Sequence, residues 1–347
     1  MLAVTSDPMG LFLIDDTGFP KKGQESVCVA RQYCGATGKT DNCQIGVSMT
    51  YVGRGMAWPF GMKLFVPASW DCGDAECMRR RSKTKMPDSV RHRSKWRIAL
   101  ELLDEAQTRQ VPHWAVLADS WYGDIPEFRQ ELVRRGERYI LGVYSDTQVF
   151  LESPIIEHVP QSESKRGRPR KKAKVLAVSP EPIKVSAVGT AIADDAWERL
   201  AIRRDSRNNP LVVEAVSLRV FPAHGWRDGV IQEDVWLLIE RRHSARGEVE
   251  LRYFFSNMPQ AIPTIDLARL NHERYWIEHG YQQLKEELGL DHHEGRSWLG
   301  WHRHVLLTFL AYGYLTLIRL EQKKQRHLSM WGSWLQHRGI LEKEYFF

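Results

Sequence analysis

The chain has 347 residues, of which 43% are hydrophobic and 10% aromatic, a length and composition typical of about two folded domains with sizeable cores. Its mean hydropathy is −0.43, and no run reaches the roughly 18 to 20 apolar residues that a membrane span needs. The start lacks the basic and apolar regions of a signal peptide. The five cysteines form no Cys-x-x-Cys pair, which argues against a disulfide scaffold or a zinc ribbon. An integral membrane protein is excluded, and we expect a cytoplasmic protein.

Positive charge is concentrated in two segments. The net charge is +6, from 49 basic and 43 acidic residues. Residues 165–174 carry seven basic and no acidic residues, and residues 79–97 carry nine basic residues and one acidic residue. Localised positive charge is typical of a protein that contacts phosphate groups at chosen places. The alternative is that both segments are solvated basic loops.

The first part of the chain predicts alternating strands and helices. In chain order we expect a strand over 11–15, a loop over 17–43, a hairpin of strands over 45–52 and 57–66, an irregular stretch over 67–88, a helix over 89–110, a strand over 114–118, a helix over 124–135 and a strand over 138–143. This order fits a mixed α/β sheet with helices packed on it. Asp15 and Asp119 each end a buried strand, at the edge where open α/β sheets bind ligands.

The pattern changes after about residue 145. Short alternating strands at 183–188, 211–220, 234–241 and 249–255 predict a β-rich insertion over residues 145–262, with the basic segment 165–174 as a linker. Helical periodicity then returns over 264–288 and 298–322.

The first of these two helices carries a polar stripe of Arg274, Glu278 and Lys285. Spacings of four and seven residues place the three side chains within about 40° around a regular helix. A carboxylate flanked by two cations suits a site that holds both a metal and a phosphate. The alternative is a solvated face of ion pairs, which the two aspartates upstream make less attractive.

These residues resemble the third-carboxylate signature Y-x2-R-x3-E-x6-K of the DDE transposases of bacterial insertion sequences. Arg274, Glu278 and Lys285 match it at the correct spacing, and Asn271 stands at the tyrosine position. Longer blocks resemble the insertion sequence 701 family, and the resemblance runs from residue 11 to about residue 320. These blocks are IDDTGFPKKG (14–23), VARQYCGATGK (29–39), LADSWYG (117–123) and LKEELGLDHHEGRSWLGWHRH (284–304).

The resemblance implies a ribonuclease-H-like catalytic core, with a mixed sheet flanked by helices and interrupted by the β-rich insertion. Residues 1–144 and 263–325 would form the two parts of this core, and residues 326–347 a tail. Such transposases usually carry a helical region before the first catalytic strand. Because that strand begins about ten residues into this sequence, we expect an N-terminally truncated chain.

The resemblance also implies an activity, namely metal-dependent cleavage of DNA at transposon ends followed by strand transfer into target DNA. The partners would be double-stranded DNA and a second copy of the chain, as a homodimer in the synaptic complex. Two alternatives remain open. One is a nuclease of the same core without strand transfer, and the other is a catalytically impaired, truncated DNA-binding remnant.

Three carboxylates are the expected catalytic metal ligands: Asp15, Asp119 and Glu278. Oxygen ligands suit Mg²⁺ or Mn²⁺, and two such ions can activate a nucleophile and neutralise the scissile phosphate. Asp16 is the alternative to Asp15 as the first metal ligand. Neighbouring side chains on a strand point to opposite faces, so only one of the two can enter the site. We favour Asp15 because the motif of the family that the sequence resembles places the ligand directly after the apolar run. We expect Asp16 to cap a turn at Thr17–Gly18.

Two sets of basic residues are expected to contact DNA. By resemblance, Arg274 and Lys285 bind phosphate at the transposon end. The second set lies in KRGRPRKK (165–172), whose Arg-Gly-Arg-Pro resembles the core of an AT-hook that enters a narrow minor groove. Non-specific phosphate contact and a passive linker are the alternatives for this segment. Its candidate residues are Arg166, Arg168, Arg170, Lys171 and Lys172.

Overall fold

The structure, a computed structural model, describes residues 1–157, 174–176, 178–204, 209–225, 233–243 and 249–337. The strands in these ranges are β1 (Leu11–Pro20), β2 (Ala30–Cys34), β3 (Lys39–Gly53), β4 (Met56–Leu64), β5 (Ala115–Ala118), β6 (Tyr139–Val143), β7 (Gln148–Phe150), β8 (Ile156–Glu157), β9 (Lys174–Val175), β10 (Ile183–Lys184), β11 (Glu198–Arg204), β12 (Pro210–Pro222), β13 (Val235–His243) and β14 (Val249–Ser256). The helices are α1 (Leu2–Thr5), α2 (Ala75–Lys83), α3 (Lys95–Thr108), α4 (Ser120–Gly123), α5 (Pro126–Arg134), α6 (Val185–Ala191), α7 (Thr264–His272), α8 (Tyr275–Gln282) and α9 (Trp298–His337).

One mixed sheet holds twelve of the strands described here. Its main path runs β10-β7-β12-β13-β14-β6-β5-β1-β3-β2, with β4 beside β3 and β11 beside β12. Along this path β1 pairs with β5, and β5 with β6, in parallel, whereas the other neighbours are antiparallel. The predicted mixed α/β sheet is confirmed, as is the predicted hairpin, which β3 and β4 form.

The first strand is longer than predicted, and the expectation that it ends at Asp15 and Asp16 is wrong. Its parallel pairing with β5 stops at Ile14 opposite Ala118. Its antiparallel pairing with β3 continues to Pro20 and places Asp15 opposite Ser48. Asp15 therefore follows the last residue of the parallel ladder while it remains inside the antiparallel one.

Alternation along β1 divides its side chains between two cores. Phe12 and Ile14 belong to the cluster under α3 and α5. Leu11 and Leu13 belong to the cluster under α7 and α8. Because side chains alternate along a strand, Asp15 shares the face of Leu13, and Asp16 shares the face of Ile14.

Three further sequence predictions are wrong. The expected loop over 17–43 contains β2, whose side chains are mostly polar and at least partly exposed, so the segment shows no apolar pattern. The stretch predicted to be irregular contains α2, which the Asp74 carboxylate caps by accepting a hydrogen bond from Cys77 N at 2.7 Å. The strand expected over 183–188 is only two residues long before α6 begins.

The helix predicted over 264–288 is divided. Between α7 and α8 the N–H groups of Glu273, Arg274, Trp276 and Ile277 bond to carbonyls three residues back, where a regular helix would reach four residues back. After α8, residues 283–287 form a π-helical turn. The prediction that Arg274, Glu278 and Lys285 lie on one face assumes a regular helix with about 100° of rotation per residue. That rotation does not hold throughout this segment. The second predicted helix is present as α9, and it continues to His337. In the described ranges, no helix is long and apolar enough to cross a membrane.

Candidate active site

Two aspartates meet at the edge formed by β1 and β5. Asp15 and Asp119 each follow a residue of the last parallel pair, Ile14 and Ala118. The strand β5 is four small or apolar residues, all buried. Asp119 then caps α4, and its Oδ1 accepts hydrogen bonds from Trp121 N at 3.0 Å and from Tyr122 N at 3.2 Å.

A pair of glycines fixes the position of α4 against the sheet. A Cβ at Gly123, in α4, would lie 1.8 Å from the carbonyl oxygen of Gly142 in β6. A Cβ at Gly142 would lie 2.8 Å from the backbone nitrogen of Ser120. Only residues without a side chain permit this approach, which places the Asp119 cap directly over the parallel strands.

The Asp15 carboxyl has an unusual protonation equilibrium. Burial, together with the neighbouring carboxylates of Asp119 and Asp16, raises its pKa to about 7, while Arg274 opposes the shift. The mutual influence of these groups shows that the three aspartates are electrostatically close. Two carboxylates at one edge repel each other, so this position favours a bound proton or cation.

Asp16 is held on the opposite face. Its Oδ2 lies 2.7 Å from Lys95 Nζ, and its Oδ1 accepts a hydrogen bond of 2.6 Å from the Tyr122 hydroxyl. Burial raises the pKa of Asp16, and Lys95 opposes that rise. The expectation that Asp16 caps a turn at Thr17–Gly18 is wrong, because both residues belong to β1.

The helix α8 and the π turn after it contact β1 near Asp15. The Tyr281 hydroxyl donates to the Asp15 carbonyl oxygen at 3.2 Å and lies 2.6 Å from Ser48 Oγ, which must then be the donor. Lys285 Nζ lies 3.4 Å from the carbonyl oxygen of Gly18. Burial lowers the pKa of Lys285, and Asp291 and Asp15 are among the groups that oppose this shift.

Arg274 carries an unsatisfied donor beside these carboxylates. Its positive charge lowers the pKa of Asp15. Its Nε is buried and has no hydrogen-bond partner among the residues that the structure describes. A buried donor without a partner costs about 1–3 kcal/mol, so the guanidinium of Arg274 has hydrogen-bonding capacity that the described residues do not use.

The structure brings together Asp15 and Asp119 but does not add Glu278 to them. Glu278 is exposed on α8. Across the described ranges, no three acidic, histidine or cysteine side chains are close enough to hold one metal ion. The tyrosine position of the signature, Asn271, is buried, and its Nδ2 donates to Glu240 Oε1 on β13 at 2.9 Å.

The two aspartates fit a hard cation. Within the described part of the chain, the hydrogen bonds to the side-chain carboxylates of Asp15 and Asp119 involve only their Oδ1 atoms. The Oδ2 atoms therefore remain available as oxygen donors, the ligand type that Mg²⁺ and Mn²⁺ prefer.

Several basic residues of the segment 79–97 form ion pairs or hydrogen bonds within the chain. Its members bond to carboxylates or backbone carbonyls of the chain, as Arg79 does with Glu76, Arg81 with Trp70, Lys83 with Glu25, Arg93 with Glu101 and Lys95 with Asp16. The other basic candidates, Arg166, Arg168, Arg170, Lys171 and Lys172, lie outside the described residues.

Sequence reasoning missed four residues that surround the carboxylates. In the sequence, Lys95 is one of many cations in a basic segment, and Tyr281 is one position of an apolar helical stripe. Tyr122 lies in the block LADSWYG, and the resemblance of this block to the insertion sequence 701 family could have identified Tyr122 as a candidate. Ser48 lies in a buried strand and carries no sequence signal.

The sheet and its two aspartates define an α/β protein with a ribonuclease-H-like core. The family model described as "DDE superfamily endonuclease" matches residues 1–209, and the chain belongs to this family. It is also 31% identical over 140 residues to a protein named "Probable transposase for insertion sequence element IS701" from Microchaete diplosiphon. That match covers 40% of this chain and 33% of the relative, so it spans about a third of the relative's length. The family predicted from the sequence is confirmed.

Proposed function

We propose that this protein is a transposase that cuts DNA at transposon ends and transfers the strand to target DNA, with Asp15, Asp119 and Glu278 as ligands of two Mg²⁺ or Mn²⁺ ions. The observation that carries the proposal is that Asp15 and Asp119 both come directly after Ile14 and Ala118, the last parallel pair of β1 and β5. The likeness to a transposase of an insertion sequence supports the same conclusion.

Each residue of the site has a distinct role in this proposal. Asp15 and Asp119 would hold the divalent ions, which when bound would supply an activated nucleophile and neutralise charge on the scissile phosphate. Arg274 donates its unpaired Nε–H to a phosphate oxygen, and Lys285 adds a second positive charge. Glu278 would complete the ligand set, and this would require a movement of α8 because its carboxylate is exposed and apart from the two aspartates.

The proposed partners follow from the same chemistry. Double-stranded DNA is the substrate, and the segment from Arg166 to Lys172 contacts its phosphates or its minor groove. Two copies act together because joining both ends of one element takes two sites. We place this activity in the bacterial cytoplasm, at the nucleoid.

The test is cleavage of a labelled duplex that carries the element's own end. Wild-type protein is compared with Glu278→Ala, and with Glu286→Ala as a control that removes an exposed carboxylate from a later turn. We expect nicking that requires Mg²⁺, is lost in Glu278→Ala and is retained in Glu286→Ala. Joined products with an added target duplex separate a transposase from a nuclease.

Two results would contradict the proposal. Cleavage by Glu278→Ala at the wild-type rate would remove Glu278 from the ligand set. Duplex binding without cleavage by the wild type would favour the DNA-binding remnant. One observation favours the remnant: the described residues contain no cluster of three possible metal ligands, so Glu278 does not join the two aspartates in this structure.

A further inference from the structure

The helix α9 is apolar on both its inner and outer sides. No aspartate, glutamate, lysine or arginine occurs between Arg303 and Arg319. One side packs on the core through buried Trp301, Val305 and Tyr312. A helix that is apolar all round is normally buried all round, yet the other side of α9 has no cover from the described residues.

Five large apolar side chains form the outer stripe of α9. At 100° per residue they fall within a band about 100° wide. Their exposed fractions lie between 52% and 66%. An exposed apolar patch of this kind marks an association surface. The members of the outer stripe are Leu299, Leu306, Leu307, Leu310 and Tyr314.

The occupant of this surface must itself be apolar. A DNA backbone offers charged phosphates, which an uncharged stripe cannot neutralise. The charges at the two ends of the stripe give a more specific indication. Arg303 and Glu321 are both exposed. They are eighteen residues apart, or about five turns and 27 Å, so both lie near the centre line of the stripe.

We propose that the outer stripe joins two copies of this chain, packed antiparallel about a two-fold axis level with Tyr312. In this register Arg303 of one copy lies opposite the partner's Glu321. Leu310 lies opposite the partner's Tyr314, and Leu306 and Leu307 lie opposite the partner's Ile318 and the partner's Leu317. Apolar side chains between residues 306 and 318 therefore face one another, and Leu299 lies beyond this paired segment. A parallel arrangement would instead place Arg303 beside a second Arg303.

The size of the stripe is compatible with such a contact. Five half-exposed side chains leave on the order of several hundred Å² of apolar surface per copy, against about 800 Å² per partner in a standard interface. The polar rim, including the two charge pairs, makes up the remainder. This inference deepens the homodimer of the proposed function and rests on it for its purpose, since two joined copies bring two carboxylate sites to one complex.

The experiment is the molar mass of the full chain by light scattering over a concentration series, without DNA or metal. We expect twice the 40.3 kDa of one chain. Leu310→Glu should raise the dissociation constant of the dimer at least about tenfold. Val133→Glu is the control, because Val133 is also an exposed apolar residue but lies on α5. It should remain dimeric.

A charge exchange tests the antiparallel register with exposed residues only. Arg303→Glu and Glu321→Arg should each weaken the dimer, and the double variant should restore it. A wild type that stays monomeric, a dimer indifferent to Leu310→Glu, or a double variant no tighter than the single ones would each overturn the proposal. The light-scattering experiment does not depend on cleavage, so its result stands even if the catalytic proposal fails. In the same way, a monomeric protein would leave the cleavage test of the catalytic residues unchanged.

Discussion

The Tyr122 hydroxyl donates a hydrogen bond of 2.6 Å to Asp16 Oδ1, and this bond ties α4 to β1. The backbone nitrogen of Tyr122 bonds to Asp119 in the same turn, and Asp16 directly follows Asp15. The Tyr122 side chain thus helps to set the distance between Asp15 and Asp119. Burial and the Asp16 carboxylate raise the pKa of Tyr122 well above 10, so the hydroxyl keeps its proton.

Replacing Tyr122 with phenylalanine should loosen the site more than the fold. We expect the free energy of unfolding to fall by about 1–2 kcal/mol, because Lys95 still pairs with Asp16. We also expect slower cleavage and a higher Mg²⁺ concentration at half-maximal rate. Tyr253→Phe, which changes a buried tyrosine on β14, is the control. An unchanged Mg²⁺ requirement in Tyr122→Phe would argue against a positioning role.

Asp119→Asn should abolish cleavage and leave DNA binding unchanged or tighter. The amide oxygen can still accept the two backbone hydrogen bonds of α4, so the fold is retained, while the charge needed for a metal is removed. Binding is measured by fluorescence anisotropy and cleavage on a labelled duplex. Asp124→Asn, a nearby change that keeps the acceptor for Thr147, should cut normally. Cleavage by Asp119→Asn would remove this carboxylate from the chemistry.

Lys285→Ala should weaken end binding and flatten its dependence on salt. Neutralising one phosphate fewer reduces the slope of log K against log salt by about 0.9. The measurement is an anisotropy titration at several salt concentrations. Arg134→Ala, which removes an exposed cation paired with Glu131 on α5, should keep the wild-type slope. Equal slopes for the wild type and Lys285→Ala would place Lys285 outside the interface.

A buried imidazolium gives a pH dependence of stability unrelated to the active site. His113 Nδ1 bonds to the Val111 carbonyl, so Nε2 can donate to Glu137 at 2.8 Å only when both nitrogens carry protons. Burial lowers the pKa of His113, but these hydrogen bonds raise it by more, so the pKa lies above its ordinary value of 6.5. The resulting stabilisation is complete below the unfolded pKa and is lost as pH rises through the folded pKa.

Chemical denaturation at a series of pH values tests this contribution. The wild type should lose on the order of 1 kcal/mol more than His113→Gln when the pH rises from about 6 to about 9. The difference between the two proteins isolates His113 from other titrating groups. Parallel curves for the two proteins would show that His113 is not charged in the folded state.

Sequence reasoning found the parts of the fold that have strong local patterns. The apolar runs of β1 and β5 and the hairpin of β3 and β4 are visible because their buried positions recur. Asp15 and Asp119 can be found because they directly follow such runs. The longer blocks around them carry the resemblance to the family to which the chain belongs.

Long-range pairing could not be read from local pattern. The extension of β1 past Asp16 depends on β3, whose partner residues lie 23 to 29 positions away. No glycine or proline stands between α7 and α8, so the sequence gives no signal that the helix is divided there. The bonds from Lys95 and Tyr122 to Asp16 join residues 79 and 106 positions apart, which single-segment periodicity cannot reveal.

The place of β14 beside β6 has a consequence for engineering this chain. The strands predicted as an insertion continue the same hydrogen-bonded ladder as the strands that carry the aspartates. Deleting residues 145–262 to obtain a minimal nuclease would remove β14, the neighbour of β6. The apolar strand β6 would then become an exposed, unpaired edge of the sheet. Such a shortened protein should precipitate, and the segment is therefore better regarded as the flank that keeps the catalytic strands in solution.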